Sequence, residues 1–328
     1  MKYRAASRLG VAVSEIGLGC WQLGGSQWGD VSEGTAQDIL GTAVDAGVNF
    51  FDTADVYGAG RSESLIGQFL SQRADGHKVF VATKLGRLHG YPDGYSSELF
   101  HRCVTDSIDR LRRPKLDLVQ LHCVPRAYLE SGQAFDWLAQ LKKQGLIAHA
   151  GASVETMDEA ILCLRHEACD SLQIIFNIYR QKPLEKVLEQ AQRQGVAVIV
   201  RLPLASGLLA GTMTAQSHFA ANDHRTFNRN GEQFNVGETF AGLPFEKGVA
   251  LTGELKEIVG RPPNLAVTAL RWILDFPAVT TIIPGATRSA QVAANVAASE
   301  ALRLSPAVHE AIRSFYHSRV AAHIRGPY

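Results

Sequence analysis

The 328-residue sequence predicts an α/β fold, a (β/α)8 TIM barrel, on the basis of three observations. Short runs of β-branched and aromatic residues alternate with longer segments of helical period. There are eight such units, and the chain length suits a barrel of about 250 residues with insertions. Several helical segments end at a glycine just before the next strand, as at Gly47, Gly145 and Gly195. We therefore expect one barrel domain over residues 1–328.

The predicted strands cover residues 15–18, 49–52, 79–83, 118–122, 148–153, 172–176, 197–201 and 280–283. The residues before 15 are expected to form a hairpin that plugs the far end of the barrel. An extra helix at about 247–259 and a C-terminal helix from about 305 complete the prediction.

The strand–helix units follow one another evenly except after the seventh strand. Residues 211–245 are polar and rich in glycine and asparagine, which indicates a long inserted loop on the face where barrel active sites lie. Loops of this length usually serve as a lid or a subunit contact. The insertion is therefore a candidate lid, or a candidate contact between copies in a homo-oligomer.

A doubly wound nucleotide-binding sheet is the main alternative fold. It requires a glycine loop of the form G-x-G-x-x-G after its first strand. The sequence at residues 17–24 is GLGCWQLG, which lacks that spacing and precedes no clear helix. We therefore favour the barrel.

The composition excludes several classes of partner. The 33 basic and 32 acidic residues leave a formal charge of +1, which favours neither nucleic acid nor an anionic membrane. No apolar run reaches the roughly 18 residues that a membrane helix needs, and the N-terminus lacks the apolar core of a signal peptide. The five cysteines are scattered and form no C-x-x-C pair, so neither a disulfide framework nor a zinc site is expected. A cytoplasmic enzyme is the default expectation.

Polar side chains stand at or just after the ends of several predicted strands. Asp52 ends the second strand, Lys84 follows the third and His122 ends the fourth, while Tyr57 comes five residues after Asp52. Each residue alone has an ordinary structural explanation, but the C-terminal ends of all barrel strands meet at one rim. Their convergence indicates a site.

Together these four residues suit proton transfer to a carbonyl oxygen. A phenol has an ordinary pKa of about 10, and a nearby ammonium favours the phenolate. Asp52 is placed to hold Lys84 charged, and His122 is placed to donate a hydrogen bond to the oxygen that Tyr57 protonates. No convincing nucleophile or metal-ligand cluster accompanies them, so the species that attacks the carbonyl carbon is expected to come from a cofactor.

The stretch FFDTADVYGAGRSESLIG at residues 50–67 resembles the second-strand signature of the aldo-keto reductases, which are NAD(P)H-dependent barrel enzymes. VATKLG and VQLHC resemble the lysine and histidine strands of that family, and the similarity runs from about residue 15 to 298. The resemblance implies a catalytic tetrad in which Tyr57 is the general acid, Lys84 and Asp52 tune it, and His122 orients the carbonyl.

The resemblance also implies contacts to the nicotinamide end of the cofactor. Ser153 and Gln173 match residues that hold the nicotinamide amide, although Val154 replaces an asparagine of the family pattern, and Trp21 is assigned to the same pocket. Arg201 stands where the family commonly has an aromatic residue stacked on the nicotinamide. A guanidinium also stacks, but it brings positive charge close to the oxidised cofactor. The pyrophosphate would lie along VRLPLASGLLAG, against Pro203, Leu204, Gly207 and Leu208.

The last strand continues into IIPGATRSAQVAAN, which resembles the adenosine-phosphate segment of the family, with Gly285 where many members have lysine. By that match Gln291 and Asn295 contact adenine. Arg288 lies at the start of a helix, where free backbone N–H groups already favour an anion. An arginine there suits a ribose 2′-phosphate, so NADP(H) is preferred over NAD(H).

The predicted function is an NADP-dependent oxidoreductase that transfers a hydride between nicotinamide and a small carbonyl or alcohol, namely an aldehyde, ketone or sugar. Trp21, Trp28, Arg87 and Tyr91 are candidate substrate contacts, although Arg87 and Tyr91 are equally typical of solvated loop residues. One alternative is a cofactor-binding, redox-sensing subunit with little turnover. Another is a metal-dependent barrel hydrolase.

Overall fold

The computed structural model describes residues 1–25 and 27–328, and within them the chain forms ten strands. These are β1 (Tyr3–Ala6), β2 (Val11–Ser14), β3 (Leu18–Gly19), β4 (Phe50–Asp52), β5 (Phe80–Leu85), β6 (Leu116–His122), β7 (Ile147–Ser153), β8 (Ser171–Ile175), β9 (Ala197–Arg201) and β10 (Val279–Ile282). Strands β3 to β10 pair in parallel in chain order. Parallel bridges from Ile16 to Ile282 and from Gly19 to Gly285 join the two edges, so the sheet closes.

Helices fill the connections between the strands. They are α1 (Glu33–Asp45), α2 (Arg61–Ser71), α3 (Ser97–Leu111), α4 (Arg126–Ser131), α5 (Gln133–Lys143), α6 (Met157–Cys163), α7 (Val187–Gln194), α8 (His224–Phe227), α9 (Phe245–Ile258), α10 (Leu265–Leu274), α11 (Ser289–Glu300) and α12 (Pro306–Phe315). The predicted (β/α)8 TIM barrel is thereby confirmed. Strand ends differ from the prediction by at most three residues, and β5 extends far enough to include Lys84.

Local sequence signals explain where several helices begin. The side chains of Ser32, Ser96 and Ser305 each accept a hydrogen bond from a backbone N–H in the first turn of the following helix. Thr156 and Glu159 form a reciprocal capping box at the start of α6. Free N–H groups at these helix ends are therefore satisfied by the chain itself.

The lower half of the barrel interior is apolar. Strands β1 and β2 pair as an antiparallel hairpin beneath the barrel, and Val13 packs into a buried cluster with side chains from several barrel strands. The other members of that cluster are Phe50, Ala82, Leu118, Ile199 and Ile283. The plug and this cluster close one end to water, so polar side chains collect at the opposite end.

The strand register brings the predicted site residues to the same rim. Asp52 pairs with Ala82, two residues before Lys84, while His122 pairs with Ser153. Ser153 in turn pairs with Gln173 on the next strand. Asp52, His122 and Ser153 end their strands, and Lys84 and Gln173 lie within two residues of the ends, on the side that carries the chemistry of barrel enzymes.

The segment between β9 and α9 lies across this rim. It contains the short helix α8 and three 3₁₀ segments, Ala205–Ala210, Val236–Glu238 and Phe240–Gly242. Arg325, near the end of the chain, fastens the segment by donating to the backbone oxygens of Arg229, Gly242 and Leu243. Among the described residues, no helix is long and apolar enough to cross a membrane.

Helix α2 packs closely on the end of α3, and this contact predicts that alanine at Gly67 destabilises the protein. A Cβ added to Gly67 would lie 2.2 Å from the carbonyl oxygen of Arg110 and 2.7 Å from the carbonyl carbon of Leu111. Because both atoms belong to the backbone, Gly67→Ala must separate the two elements, and we expect a loss of about 2 kcal/mol in the free energy of unfolding. Denaturant titration measures it.

The matched control is Gly253→Ala in the middle of α9, where an added Cβ meets nothing within 4 Å. There alanine should stabilise the protein by roughly 0.5–1 kcal/mol through helix propensity. Equal changes in the two variants would show that the close contact of Gly67 does not limit stability.

Candidate active site

Lys84 is a buried charged residue with three close polar contacts at the barrel rim. Its Nζ donates to Asp52 Oδ1 at 2.6 Å and to the Thr53 carbonyl at 2.7 Å, and it lies 3.3 Å from the Tyr57 hydroxyl. The lysine side chain has no exposed surface. Burial lowers the pKa of Lys84, but the attraction of Asp52 and Tyr57 outweighs it, so the pKa lies above its ordinary value. Lys84 is therefore a fixed ammonium beneath the phenol.

Tyr57 is held by the loop that follows β4. Its ring stacks on Trp21, with centroids 6.0 Å apart, and meets the ring of His122 edge to face at 5.8 Å. The next residue, Gly58, has φ of +64°, and an added Cβ would lie 2.3 Å from the Gly24 carbonyl oxygen, so the loop requires glycine there. Burial raises the pKa of Tyr57 above its ordinary value, and Lys84 opposes that rise without cancelling it. The phenol is protonated at neutral pH.

His122 presents a neutral imidazole to the same space. The residue is 5% exposed, and its Nδ1 is buried without a hydrogen-bond partner among the described residues. Burial, reinforced by the positive charges of Arg87, Lys84 and Arg201, holds the pKa of His122 well below its usual range. A neutral imidazole can donate one hydrogen bond without adding charge to the site.

Gln173 lies between Asp52 and the barrel interior. Its Nε2 donates to Asp52 Oδ2 at 2.7 Å and to Gln120 Oε1 at 3.0 Å. Its Oε1 lies 3.4 Å from the Ser153 hydroxyl. The carboxylate of Asp52 is thus satisfied on both oxygens, which fixes its orientation toward Lys84.

Arg87, Glu155, Arg201 and Glu238 form a charged cluster on the far side of the rim. Arg87 Nη2 lies 2.9 Å from Glu155 Oε1 and 3.2 Å from Glu238 Oε1, while Arg201 Nη1 lies 3.1 Å from the same Glu238 oxygen. Asn235 donates to the other oxygen of Glu155 at 2.9 Å. Because Asn235 and Glu238 belong to the inserted segment, the cluster joins that segment to the barrel.

The charges of this cluster balance when both carboxyl groups are ionised, although burial and the charge of Glu238 raise the pKa of Glu155 above its ordinary value. Burial raises the pKa of Glu238, but Arg87 and Arg201 outweigh it and bring the pKa to about 2. Glu238 is therefore ionised at neutral pH. Two guanidinium groups face two carboxyl groups, so the ionised cluster has no net charge.

The same arrangement bears on metal binding. Within the described part of the chain, one group of three potential ligand atoms lies close together, on Cys123, Glu155 and Glu238. Both carboxylates already pair with arginine, and the two guanidinium groups repel a cation. The charge pattern therefore gives no support to the metal-dependent alternative.

A cavity of about 600 Å³ extends from Tyr57 and His122 to the start of α11. That volume falls within the range of cofactor and ligand pockets. Of the catalytic residues predicted from sequence, Asp52, Tyr57 and His122 line it, and Lys84 lies directly beneath. The predicted cofactor and substrate residues that line the cavity are Trp21, Trp28, Arg87, Tyr91, Gln173, Arg201, Pro203, Leu204, Gly207, Gly285 and Gln291.

Four predicted cofactor residues lie outside this lining. Ser153 and Asn295 are buried beside it, and Leu208 is buried in the core, where its side chain would lie 2.6 Å from a Cβ added to Gly248. Arg288 is exposed as the N-cap residue of α11. Gln291 reaches back to accept hydrogen bonds from Thr287, so it fixes this helix start.

An aromatic wall made by Trp21, Trp28 and Phe234 lines the cavity, and the buried His224 packs against it. The indole rings meet edge to face at 5.5 Å, and the His224 ring lies 4.3 Å from Trp28. Phe234 closes the wall 6.1 Å from Trp21. Sequence reasoning identified the two tryptophans but missed His224 and Phe234.

Sequence reasoning also missed the inserted residues of the charged cluster. Asn235 and Glu238 lie in a segment whose polar composition indicated only a lid or an interface. Strand periodicity gave no information about which of its side chains turn toward the rim.

The sequence matches the aldo/keto reductase family model over residues 15–317. The chain is 27% identical to aldo-keto reductase YhdN from Bacillus subtilis over 302 residues, which is 90% of this chain and 87% of that protein. The structure is similar to that of the glycerol dehydrogenase AKR11B4 from Gluconobacter oxydans, with a TM-score of 0.78, 25% identity and coverage of 99% and 97% of the two chains.

A third similar protein is described as a channel subunit and not as an oxidoreductase. It is a probable voltage-gated potassium channel subunit beta from Oryza sativa subsp. japonica, 28% identical over 97% of this chain and 98% of that protein.

The lowered pKa of the buried His224 predicts that the stability of the protein depends on pH. Burial lowers the pKa of His224 to about 4, and Arg225 adds to the effect while Asp223, the Gln27 carbonyl and Glu238 oppose it. Unfolded histidine has a pKa of about 6.5, so between about pH 6.5 and 4 the unfolded chain binds a proton that the folded chain does not. The free energy of unfolding should therefore fall as pH falls, by about 2 kcal/mol from this group between pH 7.5 and 5.

The measurement compares denaturant unfolding at both pH values for His224→Gln and for His317→Gln, which changes an exposed histidine. His224→Gln should lose about 2 kcal/mol of the pH-dependent change, whereas His317→Gln should retain it. An unchanged pH dependence in His224→Gln would contradict the assignment.

Proposed function

This chain belongs to the aldo/keto reductase family, and from that premise we propose that it is an NADP(H)-dependent oxidoreductase acting on aldehydes, ketones or sugars. The reaction is a hydride transfer between nicotinamide and the carbonyl or alcohol carbon, with Tyr57 as general acid in reduction and general base in oxidation. The observation that carries the proposal is the contact of one buried ammonium, Lys84 Nζ, with both Asp52 and the Tyr57 hydroxyl at the cavity floor.

The residues of the chain itself transfer the proton and stabilise the negative charge that develops on the carbonyl oxygen. The cofactor, when bound, supplies the hydride. Tyr57 Oη donates its proton to the carbonyl oxygen, and Lys84 stabilises the phenolate that remains because its ammonium lies 3.3 Å away. His122, held neutral, donates a hydrogen bond to the same oxygen and so polarises the carbonyl. Asp52 keeps Lys84 charged and in place.

The residues around the cavity fit a nicotinamide dinucleotide. Gly285 and Gln22 both line the cavity, and a Cβ added to Gly285 would lie 2.2 Å from the Gln22 side chain, so a larger residue there would displace Gln22. Gln173 supplies an amide oxygen near the Ser153 hydroxyl, as the nicotinamide amide requires. Arg288, exposed at the first turn of α11, supports NADP(H) over NAD(H) because an arginine and free N–H groups together favour a phosphate.

The substrate end of the cavity has one aromatic wall and one polar wall. Trp21, Trp28 and Phe234 offer apolar contact area, while Glu155 and Asn235 offer hydrogen-bonding groups opposite. A small carbonyl compound with hydroxyl groups, such as a hydroxyaldehyde or sugar, can use both walls. The similarity to a glycerol dehydrogenase supports this substrate class.

The second candidate function is a cofactor-binding subunit with little turnover. The similarity to a probable potassium channel subunit beta favours it. The complete set of proton-handling contacts at Tyr57, Lys84, Asp52 and His122 favours the enzyme, because binding a cofactor alone does not require a proton donor at the cavity floor. Turnover decides between the two.

Tyr57→Phe tests the proposed acid. We expect the variant to lose at least about a thousandfold in kcat with a panel of aldehydes and hydroxyaldehydes, because it lacks the phenolic proton that Tyr57 delivers to the carbonyl oxygen. NADPH affinity should change by less than about threefold, since only one hydroxyl is removed from the cavity floor. Nicotinamide absorbance measures turnover, and nicotinamide fluorescence measures binding.

The matched control is Tyr3→Phe, which removes an exposed hydroxyl that donates to Gly47 far from the cavity. It should keep full activity. Undiminished turnover in Tyr57→Phe would remove the phenol from the mechanism, and a wild-type protein that binds NADPH tightly but turns over none of the panel would favour the subunit.

Arg288→Ser tests the cofactor preference. Loss of the guanidinium should weaken NADPH binding about ten- to a hundredfold, because a charge-assisted phosphate contact contributes about 1.5–3 kcal/mol. NADH binding should stay the same, since NADH lacks the 2′-phosphate. Fluorescence titration of both cofactors gives the ratio, and Arg303→Ser, which changes another exposed arginine, is the control. Equal weakening of NADPH and NADH would contradict a 2′-phosphate contact.

A further inference from the structure

Arg201 occupies an unusual position for a charged side chain. It ends β9, lines the same cavity as Tyr57 and His122, and has only 11% of its side chain exposed. Its Nη2 donates to the Val154 carbonyl at 3.2 Å, and its Nη1 pairs with Glu238. The Nε is buried and has no hydrogen-bond partner among the described residues. The guanidinium is therefore fixed beside the catalytic groups.

Glu238 neutralises more than one arginine. The Oε1 atom that pairs with Arg201 also accepts from Arg87, which has a second partner in Glu155. Loss of the Glu238 charge would leave Arg87 paired with Glu155 but Arg201 without a carboxylate. Loss of the Arg201 charge would instead leave two carboxylates facing one arginine. Removing the charge of Glu238 and removing the charge of Arg201 would thus give this part of the cavity opposite net charges.

We propose that the Arg201–Glu238 pair sets the relative affinity of the protein for oxidised and reduced nicotinamide cofactor. The inference rests on the proposed function, because it requires the nicotinamide to lie beside Tyr57 and His122. Glu238 positions Arg201 and neutralises its charge. The buried guanidinium can therefore lie near the nicotinamide ring, which is positive in the oxidised cofactor.

The physical basis is a difference of one unit charge between the two cofactors. Oxidised nicotinamide carries a positive charge on its ring, and reduced nicotinamide does not. A nearby uncompensated charge therefore changes the affinity for the oxidised form and leaves that for the reduced form nearly unchanged. At an effective dielectric constant of about 20 and a separation of about 10 Å, a unit charge changes the affinity by roughly tenfold.

The experiment measures the dissociation constants of NADP⁺ and NADPH for the wild type, Glu238→Gln, Arg201→Gln and the double variant. Quenching of tryptophan fluorescence reports both cofactors, because Trp21 and Trp28 line the cavity. Glu238→Gln should raise the ratio of the NADP⁺ constant to the NADPH constant about tenfold, whereas Arg201→Gln should lower it. The double variant removes one charge of each sign, so its ratio should return toward that of the wild type.

Arg201→Lys is the conservative control. It keeps the charge but not the planar guanidinium, so the ratio should stay within about threefold of the wild type even if both affinities fall. If one single variant fails to fold, the other still tests the sign of its own shift.

A structural role would weaken both cofactors equally in each single variant and leave the ratio unchanged, and that result, or a shift of the same sign in both, would overturn the inference. A wild-type protein that binds neither cofactor would overturn the proposed function as well. A wild type that binds both, with variants of unchanged ratio, would overturn the inference alone.

Discussion

The ion pair between Lys84 and Asp52 determines how the rest of the rim is arranged. Neither side chain has more than 3% exposure, and removing one partner from such a pair typically costs about 3–5 kcal/mol because a buried charge is left alone. The remaining hydrogen-bonding capacity of the pair must also be used. Thr53 and Tyr57 take further contacts of Lys84, and Gln173 donates to the second oxygen of Asp52. The position of the Tyr57 hydroxyl is therefore linked to the ion pair through its contact with Lys84.

The polar side chains at the rim require an apolar layer beneath them that excludes water. The hairpin of β1 and β2 seals the lower end, and Val13 and Phe50 belong to the apolar cluster between the plug and the rim. A low-dielectric floor strengthens the attraction between Lys84 and Asp52, and it also raises the cost of leaving either unpaired. The barrel is thus divided into an apolar lower half and an upper half that carries the proposed active site.

The second charged cluster has a different physical character. Arg87 and Glu155 are partly exposed, whereas Arg201 and Glu238 are nearly buried, so the cluster extends from solvent into the cavity. It also holds the inserted segment against the barrel, and Arg325 holds that segment from the other side. The shape of the cavity mouth therefore depends on ion pairs between residues distant in sequence, which links the electrostatics of the site to the position of the insertion.

The sequence by itself determined the barrel and the four polar residues at the floor of the cavity. Strand and helix periodicities are local signals, and parallel strands necessarily bring Asp52, Lys84 and His122 to one rim. Only the tertiary structure decided what neutralises Arg201, because Glu238 lies 37 residues later in an irregular segment without periodicity. It also decided the net rise in the pKa of Tyr57, since burial outweighs Lys84 there. Desolvation and long-range pairing depend on all surrounding groups at once, so no local pattern encodes them.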